Sequence, residues 1–331
     1  NHGAKYIVSS KNTKKLRHKT LKVNNEIKFL NQFALKKRKY TKAKIIAITG
    51  SAGKTSLKNL MGVVLQNFGN TFSSPKSYNN HFGVPLSLSQ LNTSHKFGVF
   101  EVGMSKAGEI NKLTKLIKPN IGIITNIAEA HIENFKNLQG IANAKSEMID
   151  NIHEGGTLIL NRDDQYFNFL KKKGKSKNLN IITFGKTKKS DIYPLSISNK
   201  IKNKKIILKI NKKVLKLEKG DLNIYNVLAS VAILSELNLS LKKIYQYYKD
   251  YEPSEGRGKI HKIKRYKKNF KLIDESYNAN PLSVKNAIRK FNLIKKKKFK
   301  KFLILGDMLE SGSKSKKYHE ELSKVINSSD I

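Results

Sequence analysis

The sequence predicts an α/β fold in which helices cover a mainly parallel sheet. Short apolar, β-branched segments recur along the chain and alternate with longer helical patterns. This alternation is typical of sheets built from strand–helix–strand units. The first of these strands ends in a glycine-rich turn that leads directly into a helix. The 331 residues suffice for two or three domains with sizeable cores.

The glycine-rich turn that follows the strand Lys44–Thr49 has the composition of a phosphate-binding loop. Glycines let backbone N–H groups wrap a phosphate, and the next helix adds the positive end of its dipole. Lys54 can reach the terminal phosphates, and the Thr55 hydroxyl can bind Mg²⁺. The glycines stand closer together than in the usual loop, which indicates a subfamily. The predicted nucleotide-binding loop comprises Gly50, Ser51, Ala52, Gly53, Lys54, Thr55 and Ser56.

The other elements follow from the same patterns. Further parallel strands are predicted at Phe97–Glu101, Ile121–Thr125, Thr157–Leu160 and Ile181–Phe184, and an antiparallel ribbon between Asp191 and Leu217. Helices are predicted at Asn24–Leu35, Leu57–Phe68, Asn223–Leu237 and onward from Leu241. After the break at Gly256–Gly258, a further α/β unit is predicted from a strand, a helix and a strand at Phe270–Asp274, Ser283–Phe291 and Phe302–Leu305.

These patterns divide the chain into three parts: residues 1–43, 44–255 and 256–331. The first part is too short and too basic for a full domain, and the last has too few elements to close a sheet. We therefore expect a fragment open at both ends.

Composition excludes several classes of protein. The formal net charge is +42, but only six of the 66 basic residues are Arg, the residue that nucleic-acid sites favour. The lysines are scattered along the whole chain, so we expect no nucleic-acid partner. The chain has no Cys and no apolar run long enough to span a bilayer, so we expect neither thiolate metal sites nor membrane insertion.

Polar side chains follow the strands next to the phosphate loop. Glu101 ends one strand, and His131 comes shortly after another. Because ligands bind beyond the carboxyl ends of parallel strands, Thr55, Glu101 and His131 are expected beside one nucleotide. Mg²⁺ prefers oxygen ligands, which suits the hydroxyl and the carboxylate.

Two later segments carry polar side chains just before predicted helices. Asp221 and Asn223 are competent caps for the next helix, and Asn223 or Asn226 could instead bind a base edge. The segment Asp274–Pro281 follows a predicted strand and contains a Glu, a Ser, a Tyr and two Asn residues, although one cap would suffice.

These segments together resemble the Mur ligases of peptidoglycan synthesis, over about residues 44–330. The resemblance includes the shortened loop and the strand-end glutamate, followed by a region that contains His131 and Lys145. Its most discriminating piece is the Tyr277–Pro281 segment, which resembles the branch that adds the terminal dipeptide. The matching segments are 49–55, 101–104, 108–110, 125–127, 130–131, 144–147, 277–281 and 305–310.

The resemblance implies a cytoplasmic, monomeric enzyme with a nucleotide-sugar domain, a central ATPase domain and a C-terminal Rossmann-like domain. Such an enzyme joins D-alanyl-D-alanine to UDP-N-acetylmuramoyl-tripeptide through an acyl phosphate, with consumption of ATP. It implies two Mg²⁺ ions, which would be held by Thr55, Glu101, His131 and a carbamylated Lys145.

The resemblance also implies roles for residues around the nucleotide and the substrate. Asn223 would face adenine, Asp274 the ribose and Arg257 the γ-phosphate. Asn226, Tyr277 and Asn278 would complete the nucleotide site, and Asn79 and Asn80 would contact substrate. Catalysis would rest on Lys54, Lys145 and His131.

Three departures and three alternatives stay open at this point. Lys76-Ser77 replaces the family's Gly-Asn, Leu222 stands in place of a His, and Ala52 in place of an Asn. The alternatives are another amide ligase of the superfamily, a basic ATPase that acts on nucleic acid, and a non-catalytic protein of the same fold.

Overall fold

The first helix leads the chain into its central sheet. The computed structural model describes residues 3–11, 14–198, 205–218, 220, 222–241, 245–294 and 300–331. Two short parallel strands, β1 (Ile7–Ser9) and β2 (Thr20–Lys22), precede helix α1 (Glu26–Tyr40). Asn25 caps α1, because its side-chain oxygen accepts a hydrogen bond from the Lys28 N–H at 2.8 Å.

Nine strands form one sheet within the described residues. They are β3 (Lys44–Thr49), β4 (Thr71–Ser73), β5 (Phe97–Glu101), β6 (Ile121–Ile124), β7 (Thr157–Asn161), β8 (Asn180–Phe184), β9 (Ile192–Ile197), β10 (Lys205–Ile210) and β11 (Lys213–Glu218). Across the sheet their order is β4, β5, β3, β6, β7, β8, β9, β10, β11. Strands β3 to β9 all run parallel to one another, and β10 and β11 continue from β9 as an antiparallel ribbon. The predicted mainly parallel sheet is therefore confirmed.

Helices cover both faces of the sheet, so its central strands are apolar throughout rather than alternating. In chain order the helices are α2 (Lys54–Leu65), α3 (Gly83–Ser89), α4 (Glu109–Ile117), α5 (Leu138–Ser146), α6 (Phe167–Ser176), α7 (Ile224–Glu236) and α8 (Tyr245–Lys249). Buried side chains of α2 and α7 belong to one apolar core, and those of α1 and α3 to α6 belong to another.

The strand order places a crevice at the carboxyl end of β3. After β3 the chain passes to β4 and β5 on one side, and only later adds β6 on the other side. Such a reversal of direction leaves the loop after the central strand open for a ligand. The glycine-rich loop therefore lies where parallel sheets bind nucleotides.

The C-terminal part begins with an antiparallel hairpin. Its strands are β12 (Lys259–Arg265) and β13 (Lys268–Asp274), and helices α9 (Pro281–Asn292) and α10 (Ser315–Asn327) follow. Asn280 and Ser283 cap α9 reciprocally, since each side chain bonds the other residue's N–H at 2.9 Å. The helices are linked by a Lys285–Glu321 ion pair at 2.7 Å.

The predicted strand at Phe302–Leu305 is wrong. No strand is assigned to these residues, and Phe302 and Ile304 are 79% and 91% exposed. A strand needs a neighbour for its ladder, and within the described ranges nothing pairs with this apolar segment. None of the helices in those ranges has the length and apolar character needed to cross a bilayer.

The hairpin turn offers a test of backbone strain. Tyr266 and Lys267 connect β12 to β13 with φ values of 51° and 57°, and a turn with both central residues at positive φ favours glycine at its second position. We expect Lys267→Gly to raise the free energy of unfolding by about 0.5–1 kcal/mol, as measured by urea denaturation. Lys268→Gly lies one residue later, inside β13, and should lower it instead.

Candidate functional site

The loop after β3 adopts a conformation that requires its glycines. Gly50 has φ 145°, and a Cβ there would lie 1.9 Å from the Thr125 hydroxyl oxygen. Gly53 has φ 83° and immediately precedes the first residue of α2, Lys54. The N–H groups of the first helical turn have no intrahelical partner, so they are available to an anion.

The segment after β6 anchors this loop. The side-chain oxygen of Asn126 accepts a hydrogen bond from the Ala52 N–H at 2.9 Å. The backbone carbonyl of Asn126 accepts one from the Ser51 N–H, also at 2.9 Å. The Ser51 hydroxyl donates to the Ala128 carbonyl at 2.8 Å. The N–H groups of Ser51 and Ala52 therefore face the protein rather than the crevice. Sequence reasoning gave Asn126 no role of its own, although its place at a strand end was a signal.

Lys54 lies folded against the loop. Its ammonium donates to the Gly50 carbonyl at 2.7 Å. Burial lowers the pKa of Lys54, the Glu101 carboxylate opposes that shift, and the Arg257 charge adds to it. Because these groups interact electrostatically, the phosphate loop, the end of β5 and the C-terminal part meet at one place. The backbone carbonyl of Ser56 accepts a hydrogen bond from the Tyr251 hydroxyl at 3.3 Å.

Glu101 offers an unused oxygen beside this loop. The residue is 1% exposed, and its Oε1 accepts a hydrogen bond from the Asn79 amide at 2.7 Å. Its buried Oε2 has no hydrogen-bond partner among the described residues. The buried Thr55 hydroxyl lies 3.5 Å from the hydroxyl of Ser77. A carboxylate oxygen without a donor, near a helix-start threonine, fits a hard divalent cation.

Lys145 and His131 occupy the neighbouring part of the crevice. Lys145 is 2% exposed, and within the described chain its ammonium has no acceptor. Burial and then the charge of Lys54 hold its pKa well below the usual range. His131 has a positive φ, and its Nδ1 contacts a carboxylate oxygen of Glu310. Burial lowers the pKa of His131, while Glu310 opposes the shift.

The C-terminal part contributes Arg257 to the crevice. Its guanidinium donates to the Ser77 hydroxyl at 3.3 Å and lies 4.2 Å from the Tyr277 ring centre. Asp274 accepts hydrogen bonds from the N–H groups of Gly256 and Ser276, both at 3.0 Å. These bonds to Ser276 and Gly256 lower the pKa of Asp274 and hold the turn that carries Arg257.

Asn280 links the same segment to the phosphate loop. Its side-chain amide donates to the Ser51 carbonyl at 3.4 Å while its oxygen caps α9. Asn278 is exposed, and the described part of the chain provides it with no hydrogen bond. Of these two asparagines, Asn280 therefore has the observed contact with the loop.

Of the four asparagines predicted to contact the base or the substrate, two lie beside the loop or Glu101, and two bond the starts of helices. Asn226 is buried, with its oxygen 3.0 Å from the place of a Cβ on Gly53, whereas Asn223 is exposed and caps α7 through the Tyr225 N–H at 2.8 Å. Asn79 bonds Glu101 inside the crevice. Asn80 instead bonds the start of α3, since its side-chain oxygen accepts from the Gly83 N–H at 2.9 Å. The cap predicted at Asp221 lies outside the described residues.

Several contacts in this crevice were not foreseen from the sequence, and three of them link separate segments of the site. They join Ser77 to Arg257, Glu310 to His131 and Asn126 to the phosphate loop. The first two connect residues that are far apart in the chain, and no local pattern indicates such pairs.

Comparison with known proteins agrees with this geometry. Residues 48–234 match the family described as Mur ligase middle domain. The UDP-N-acetylmuramoyl-tripeptide–D-alanyl-D-alanine ligase of Buchnera aphidicola from Acyrthosiphon pisum is 38% identical over 93% of this chain, which spans 67% of that protein. The corresponding ligase of Rickettsia prowazekii is 33% identical over 98% of this chain, which spans 72% of it.

Solved structures with the same architecture include two ligases called MurF. The crystal structure from Acinetobacter baumannii superposes with a TM-score of 0.85 at 28% identity, over 94% of this chain and 67% of that one. The Thermotoga maritima structure, a complex with ADP, gives 0.85 at 25% identity, over 99% of this chain and 74% of that one.

Proposed function

Because this chain belongs to the Mur ligase family, we propose that it joins D-alanyl-D-alanine to UDP-N-acetylmuramoyl-tripeptide by an ATP-dependent amide bond. The observation that carries the proposal is the crevice at the end of β3. There the phosphate loop faces a buried carboxylate whose second oxygen lacks a donor among the described residues. ATP and UDP-linked substrates are cytoplasmic metabolites, so we propose a cytoplasmic site of action, with the chain acting as a monomer.

The reaction proceeds in two transfers. A carboxylate oxygen of the tripeptide attacks the γ-phosphorus of ATP, the bond to the β-phosphate oxygen breaks, and ADP leaves. The amine of D-alanyl-D-alanine then attacks the acyl phosphate carbonyl, forms the amide, loses a proton and expels inorganic phosphate. Little covalent help is needed, so positioning and charge stabilisation carry the catalysis.

Lys54 and Arg257 would be the cations that stabilise the transferring phosphoryl group. Lys54 already lies on the phosphate loop, and Arg257 reaches the Ser77 hydroxyl from the C-terminal part. Both charges act in a crevice from which water is partly excluded, where they are worth more than in solvent. We propose that residues 256–331 form part of a domain whose closure completes this site and shields the acyl phosphate from hydrolysis.

The metal residues form two neighbouring groups. Thr55 and Glu101 would hold one Mg²⁺ beside the phosphate loop, and His131 with Lys145 would hold a second. When bound, Mg²⁺ would neutralise charge on the phosphate oxygens. Asn79 holds Glu101 in place by its hydrogen bond to the other carboxylate oxygen. Asn226, beside Gly53, and Asn280, bonded to the Ser51 carbonyl, would contact the nucleotide.

Lys145 suits this role only as a carbamate. An ammonium would repel a cation, whereas reaction of the neutral amine with CO₂ releases a proton and leaves an anionic carbamate. Burial and the lowered pKa both favour the neutral amine.

The proposed activity is tested by phosphate release from ATP. We expect the purified full-length protein to release phosphate only when UDP-N-acetylmuramoyl-tripeptide and D-alanyl-D-alanine are both present, and to form the amide stoichiometrically. Omission of either substrate is the control. Turnover stimulated by DNA or RNA and indifferent to the peptides would contradict the proposal.

A further inference from the structure

A second lysine of α2 is as deeply buried as the residues of the proposed site. Lys58 lies one helical turn after Lys54 and is 1% exposed. Its ammonium donates to the carbonyl of Ser74 at 2.7 Å and to that of Lys76 at 2.8 Å. A buried ammonium is costly, and two of its three N–H donors bond carbonyls of one turn, which indicates a specific task.

The turn that Lys58 holds has an unfavourable backbone. Lys76 has φ 44°, a left-handed conformation that non-glycine residues rarely adopt. Two carbonyls of this turn point toward one spot inside the protein, where only a donor can satisfy them. Lys58 supplies that donor from the helix that also begins with the phosphate loop.

This turn contains side chains that contact Thr55 and Glu101, the two residues proposed to hold the first metal. The Ser77 hydroxyl lies between the Thr55 hydroxyl, at 3.5 Å, and the Arg257 guanidinium, at 3.3 Å. Asn79 donates to the Glu101 carboxylate, and the Ser74 hydroxyl accepts from the Glu101 N–H at 3.2 Å. A shift of the turn would therefore move the contacts of Thr55 and Glu101 together.

Charge interactions agree with this placement. Burial lowers the pKa of Lys58 to about 8, the Glu101 carboxylate opposes that shift, and Arg257 adds to it. Lys58 therefore lies within electrostatic reach of the same carboxylate and guanidinium, although it bonds neither of them within the described chain.

We propose that Lys58 is a positioning residue, which fixes the 74–80 turn so that Ser77 and Asn79 hold Thr55 and Glu101 ready for the metal. The inference rests on the proposed function for the identity of the metal–nucleotide ligand. It predicts that Lys58 governs the Mg²⁺-dependent part of nucleotide affinity. Affinity for the metal-free nucleotide should depend on the phosphate loop instead.

The test is calorimetric titration with the β,γ-imido analogue of ATP, once with Mg²⁺ and once with EDTA. For Lys58→Met we expect binding with Mg²⁺ to weaken by about tenfold or more, as when partners of metal ligands are lost. Binding in EDTA should stay unchanged. The matched control is Lys112→Met, which removes the same charge from an exposed position of α4 and should change neither value.

Two further variants keep the test decisive if Lys58→Met does not fold. Ser77→Ala should also weaken only the Mg²⁺-dependent binding, while Lys58→Arg, which retains donors for both carbonyls, should restore most of it. Equal losses with Mg²⁺ and EDTA, or no loss at all, would overturn the inference. Failure of the wild-type protein to form the amide would instead reject the proposed function, because the analogue titration needs neither peptide substrate.

Discussion

Lys54→Met should abolish ligation while leaving the fold intact. The change keeps the aliphatic stem and removes the charge that the loop holds at the Gly50 carbonyl, 2.7 Å away. Loss of one preorganised group that stabilises transition-state charge costs about 3 kcal/mol, or on the order of a hundredfold or more in kcat. Because the ammonium is partly desolvated in the free protein, its removal should leave the thermal midpoint little changed.

The measurement is steady-state phosphate release with both peptide substrates, together with a thermal melt. Lys112→Met again serves as the control, since it lowers the net charge equally at an exposed helix position. A Lys54→Met protein with kcat within a few-fold of wild type would show that the loop lysine does not act on the transferring phosphate.

Lys145 should show opposite effects on activity and stability. Lys145→Met removes the proposed carbamate and with it a ligand of the second metal, so we expect activity to fall by about a hundredfold or more. The same change replaces a polar side chain that is 2% exposed with an apolar side chain of similar length. It should therefore maintain or raise the thermal midpoint. A merely structural lysine would lose stability and activity together.

The carbamate itself can be observed directly. With ¹³C-labelled CO₂, wild-type protein should give one carbamate resonance that is absent from Lys145→Met, and removal of CO₂ should lower wild-type activity reversibly. Acidification should do the same, because the amine becomes protonated below its pKa and no longer reacts. Wild-type activity that is indifferent to CO₂, with no carbamate signal, would contradict this role.

The parts of the fold that were predictable depend on local pattern. The strand β3, the glycine turn and α2 follow each other in one short stretch, so burial, backbone freedom and helix start could be read together. The strand predicted at Phe302–Leu305 is wrong for the opposite reason. It has a strand's composition, but strand formation needs a partner, which a local pattern does not reveal.

The site divides in the same way. Thr55 and Glu101 could be placed because each ends or follows a strand of a parallel sheet. The roles of Lys58 and Ser77 could not, because they arise from contacts between α2, the turn after β4 and the C-terminal part. In a chain with so many lysines, nothing local marks Lys58 as buried. Asn223 caps α7, as its position before the helix predicted, and its contact with adenine stays a prediction.

The C-terminal part touches the nucleotide side of the sheet at three separate segments. Arg257 donates to the Ser77 hydroxyl, Asn280 donates to the Ser51 carbonyl, and Glu310 contacts His131. Once one of these contacts forms, the other two form within the same molecule, at high effective concentration. Docking of this part should therefore behave as a single cooperative event. A substitution at any one contact, even far from ATP, should lower the fraction of molecules with all three in place.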